Sequence, residues 1–185
     1  MDKANNNELS PFSGGIESLA DIHKLHRLSL RIYGQITWNI QEQITALVNA
    51  ADDVLKKSSQ KALQEILQEE LPVILALHAL DCINEYADDK KLAEQLREML
   101  IPCFALSYSQ LYADKTQDPL RHILAKLDWY LDGDQESYSS VLAQMLRTLL
   151  GNKLKAPEPL INLLNENILP EINQRFLTAW RLEFS

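Results

Sequence analysis

His78, Asp81 and Glu85 recur at intervals of three and four residues inside the stretch LPVILALHALDCINEY. On a helix that spacing stacks all three on one face. An imidazole beside two carboxylates can hold a proton or a divalent cation. The competing reading is a narrow polar edge on a core helix, with an ordinary His–Asp contact. One helix supplies too few ligands for a metal, and no second cluster in the sequence plainly completes the set. Di-iron bundles draw Glu-x-x-His pairs from separate helices. Here the residues three before the four histidines are Ala20, His23, Leu75 and Pro119, none of them acidic. A His-Glu-x-x-His helix is also missing. The trio is therefore expected to line a ligand pocket if it acts at all, and no metal ligand, cofactor-binding residue or catalytic residue is assigned.

Other chemistry-bearing segments fail on specific positions. His23 and His26 share a helix face among leucines and read as surface or boundary residues. DWYLDGDQESYS offers Asp128, Asp132, Gly133, Asp134 and Glu136, as a calcium loop would. Aligned on its required glycine, however, the loop has Ser139 at the twelfth position, where a bidentate acid is needed. There is no Gly-x-Ser-x-Gly elbow, no Cys-x-x-Cys pair and no phosphate-cradling glycine loop. KLAEQLREMLIPCFALSYSQLYADK has a faint helix-turn-helix look but lacks a turn glycine and a basic recognition helix. These readings point away from an enzyme.

What remains is surface. Trp38 falls opposite the apolar stripe of its helix, among Gln41, Glu42 and Thr45. A large aromatic on a polar face can anchor an interface, because tryptophan is enriched in binding hot spots. The alternative is that another helix of the same chain covers it. The expected function is a non-enzymatic module that binds a protein partner or itself, as adaptor, regulator or subunit. The alternative is a helical protein binding a ligand or metal in an interhelical pocket near His78, Asp81 and Glu85.

The elements that must position these residues follow from composition and periodicity. The chain has 185 residues, 46% of them hydrophobic and 24% charged, with five glycines and seven prolines. That length suits one domain with a substantial core, and Leu, Ala, Gln and Glu favour helix. A net charge of −8 repels phosphate backbones and anionic lipid, so neither nucleic acid nor membrane is an expected partner. Two cysteines in apolar helical context and a polar opening, MDKANNNELSPFSGG, suggest a cytoplasmic protein. Residues 1–15 read as a flexible lead-in and 16–185 as a single helical domain.

Apolar positions from Leu19 to Leu55 keep helical spacing and predict one long helix, with Gly34 as its point of bending or close crossing. Further helices are predicted over about 59–69, from Pro72 to about Ala87, across KKLAEQLREML with a kink at Pro102, and from Pro119 to about Leu131. Three more cover about 135–150, 158–167 and 170–183, the last two divided at Pro170. No segment alternates as a strand would. The expected fold is an all-α, antiparallel bundle of about seven or eight helices.

Overall fold

The computed structural model describes residues 19–87, 90–113, 116–131 and 137–184. The predicted lead-in over 1–15 lies outside them. Among the described residues the chain is an all-α helical bundle. Its elements are α1 (Leu19–Trp38), α2 (Ile40–Ala50), α3 (Gln60–Asp81), α4 (Ile83–Tyr86), α5 (Lys90–Ser109), α6 (Pro119–Leu131), α7 (Tyr138–Leu150), α8 (Glu158–Leu163) and α9 (Leu169–Phe184).

α3 is the central element, touching α1, α2, α5, α6, α7 and α9. Its sequence explains the place. Leu71, Val73 to Leu77, Ala79 and Leu80 are fully buried and cover most of the circumference, so only an interior position hides them all. α1 lies across α5 and α9, burying Leu25, Leu28, Ile32 and Ile36 at intervals of three and four. Glu183 near the end of α9 ties that packing by ion pairs to Arg27 (2.9 Å) and Arg31. Ile172, Phe176, Ala179 and Trp180 dock the same helix into the core, as their spacing predicts.

Three helix boundaries differ from expectation, each for a local reason. The predicted long first helix divides at Asn39 (φ −114°, ψ 9°), not at Gly34. Nothing approaches within 4 Å of where a Gly34 side chain would begin, so that glycine serves no close crossing. Pro72, expected to start a new helix, sits inside α3. It removes one backbone hydrogen bond, but burial on every side holds the axis through it. Pro170, expected to separate two helices, instead follows a π-helical turn over Leu164–Ile168 that joins α8 to α9. A proline ring crowds the carbonyl four residues back, here Glu166, and the wide turn surrounds that position.

Capping follows the local chemistry. Asp118 Oδ1 accepts the Arg121 N–H (3.1 Å) at the start of α6, with Pro119 in the first turn as predicted. α7 begins later than expected, where the Ser137 hydroxyl accepts the Ser140 N–H (3.3 Å). It ends at Gly151, whose φ of +48° would strain any L side chain. A single antiparallel bridge between Leu55 and Leu154 ties the loop before α3 to the loop before α8.

Candidate functional site

The sequence-marked stripe meets an open cleft of about 520 Å³. α3 contributes His78 and Asp81, α5 contributes Arg97, and α6 ends in the cleft with Tyr130 and Leu131. The start of α7 adds Ser137, Tyr138 and Ser139; Asn165 of the π-helical turn and Leu169 of α9 complete the wall. Wide helical turns recur at functional sites because they redirect side chains, and this one carries Asn165 to the cleft.

Asp81 has both carboxylate oxygens engaged. Arg97 Nη2 pairs with Oδ1 at 2.9 Å, and the Tyr138 hydroxyl donates to Oδ2. Arg97 Nη2 also reaches the Tyr138 oxygen at 3.4 Å. Burial raises the Tyr138 phenol above its ordinary value, and its bond to the Asp81 carboxylate adds to the effect. The phenol therefore stays protonated and keeps donating. An aspartate held in this way orients Arg97 and Tyr138.

The cleft's unmet capacity lies on nitrogen. His78 Nε2 and Arg97 Nε are both buried without a hydrogen-bond partner. Burial lowers the His78 pKa, partly offset by Asp81, the Asn173 side chain and Glu85, so the ring favours its neutral form. Cys82, one residue beyond α3, donates to Asn173 Oδ1 (2.8 Å). Burial, with Glu85 and Asp81 nearby, pushes its thiol up to about 12, which removes it as a nucleophile at neutral pH.

Glu85 does not join the other two. The helical path is interrupted at Cys82 and resumes as α4, leaving Glu85 exposed and outside the cleft wall. It acts on His78 only through its charge. Among the described residues no group of three His, Cys, Asp or Glu side chains is placed to hold a metal. The calcium-like residues Asp132 to Glu136 lie outside the described residues.

Arg97, Tyr138 and Asn165 were not singled out from the sequence. Arg97 carried a usable signal: it falls within the helical sector of Ala93, Leu96 and Leu100, and a charge in an apolar sector must find a partner. Tyr138 and Asn165 carried none.

The second candidate surface stands apart. Trp38 ends α1 and is 84% exposed, uncovered by any described helix. Gln41, Glu42 and Thr45 of α2 are exposed as well. The structure sets Trp38 in a shallow surface hollow with Gln35 and with Glu171, Gln174, Arg175 and Thr178 of α9. Arg175 anchors that hollow by donating to the Gln35 carbonyl (2.9 Å) and pairing with Glu171 (2.5 Å).

Comparison of the chain with protein-family models, with curated proteins and with solved structures found no match. Among the described residues no helix is long and apolar enough to cross a membrane.

Proposed function

We propose that this chain is a helical ligand-binding protein whose site is the cleft walled by His78, Asp81, Arg97, Tyr138 and Asn165. One observation supports the reading: two buried nitrogens of residues on that wall lack partners, while the neighbouring carboxylate is engaged elsewhere by both oxygens. A buried unpaired polar group costs roughly 1–3 kcal/mol, and a ligand acceptor would offset that cost. The volume of about 520 Å³ is in the range of small-molecule sites. Reduced Cys82 and Cys103 accord with a cytoplasmic setting.

The test is a chemically mixed fragment library read by amide chemical shifts. Binders are expected to shift His78, Tyr138, Asn165 and Leu169, and Leu169→Trp is expected to remove those shifts while the fold stays intact. A library with no fragment acting at the cleft, or one binding the filled variant equally well, would retire the proposal.

The exposure of Trp38 supports a second reading, a non-enzymatic interaction module serving as adaptor, regulator or subunit. Trp38→Ala is expected to weaken self-association or a partner complex without changing stability by more than about 0.5 kcal/mol, as surface substitutions do. Light scattering and binding assays that show no change in either association would remove it.

A further inference from the structure

We infer that the cleft selects a small monocarboxylate with an apolar body. This rests on the ligand-binding reading above and adds the chemical class.

Donors, not charge, are what the wall leaves unmatched. Asp81 from α3 and Arg97 from α5 neutralise each other, and the Tyr138 hydroxyl of α7 is already given to Asp81. Arg97 binds Asp81 through Nη2, and the Nε on the same edge of the guanidinium has no partner. A ligand carboxylate oxygen at Nε would share that edge with Asp81 and accept one charge-assisted hydrogen bond there. His78 Nε2 is the second unpartnered nitrogen and donates once the ring takes up a proton. A ligand oxygen would suit both.

The size of the charge follows from the same inventory. Among the described residues the cleft wall holds a single guanidinium, already shared with Asp81, and one imidazole; Glu85 acts on that imidazole by its charge. The hydrogen bonds of guanidinium and imidazole suit one carboxylate and not a phosphate, which carries close to two charges. Part of the remaining wall is apolar. Tyr130, Leu131 and Leu169 offer ring and methyl surface, which gains free energy by covering a hydrocarbon group. Ser137, Ser139 and Asn165 add hydrogen-bonding groups at the rim.

The experiment compares 4-phenylbutyrate, its primary amide and 4-phenylbutylamine by calorimetry, with amide chemical shifts locating each. The acid is expected to bind at least about tenfold tighter than the amide, as a charge-assisted contact would give, and to shift Tyr138, Asn165 and Leu169. Arg97→Lys keeps the charge opposite Asp81 but loses the planar fork, and is expected to weaken the acid about tenfold. His78→Gln is a second variant, with circular dichroism confirming that each one folds. If the amide or the amine matches the acid at the cleft, or both variants bind the acid unchanged, the carboxylate assignment fails while the cleft stands as a site. If none of the three shifts the cleft, the assignment fails, and the mixed library decides separately whether the cleft binds anything.

Discussion

α3 carries two acids eleven residues apart that are built into the same three-part arrangement, and the two have different consequences. Glu70 gives one oxygen to Lys126 Nζ and the other to the Tyr130 hydroxyl at 3.1 Å. Asp81 gives one to Arg97 and the other to Tyr138. The Glu70 pair is nearly closed to water, with side chains 9% and 16% exposed. The Asp81 pair is open, at 33% and 29%. Lysine also suits the closed site, since its compact ammonium leaves no rigid donor behind, whereas the guanidinium at the open site leaves Nε unpartnered. The first arrangement locks α6 onto α3. The second orders a wall and leaves donors on it. An orphaned polar atom alone does not mark a site: the Tyr108 hydroxyl is also unpartnered, but its side chain is sealed in the core.

The largest expected effect comes from breaking the closed arrangement. Glu70→Gln leaves the mostly buried Lys126 ammonium with only the more distant Glu69 carboxylate (3.8 Å) and is expected to cost about 2 kcal/mol in urea denaturation. Asp81→Asn disturbs a pair that water already screens and is expected to cost about 1 kcal/mol. Equal losses at the two sites would erase the distinction between a closed and an open arrangement.

The sequence made one half of this contrast more legible than the other. The apolar circumference of residues 71–80 marked α3 as the central helix, and periodicity located the helical segments with no strand among them. It did not resolve what prolines do under heavy burial: Pro72 continues a helix because packing outweighs one lost hydrogen bond. Nor did it reveal the pairing of the stripe. Tyr138 lies 57 positions from Asp81, and nothing local to either residue encodes that meeting. The charges were partly legible. Glu70 flanks Leu67 and Leu71, Lys126 flanks Ile123 and Leu127, and Arg97 flanks Leu96 and Leu100. A charge inside an apolar sector announces a partner without naming it. Glu85 lies beyond the interruption at Cys82, so its spacing from Asp81 does not place it on the cleft wall.

A smaller effect sharpens the contrast through pH, because His78 borders only the open arrangement. Burial lowers its folded pKa below the ordinary 6.5, against the opposing pull of Asp81, Glu85 and the Asn173 side chain of α9. Above pH 6.5 the ring is neutral in both the folded and unfolded states, and its contribution to stability is complete. As pH falls through 6.5 the unfolded chain takes up the proton first, so stability declines and levels off only below the folded pKa. The difference in unfolding free energy between the wild type and His78→Gln should therefore narrow on acidification across that window. A monocarboxylate in the cleft favours the protonated ring, so saturating 4-phenylbutyrate should shrink the pH dependence. An unchanged slope with ligand bound would mean that His78 does not face the ligand, and Arg97 alone would carry recognition.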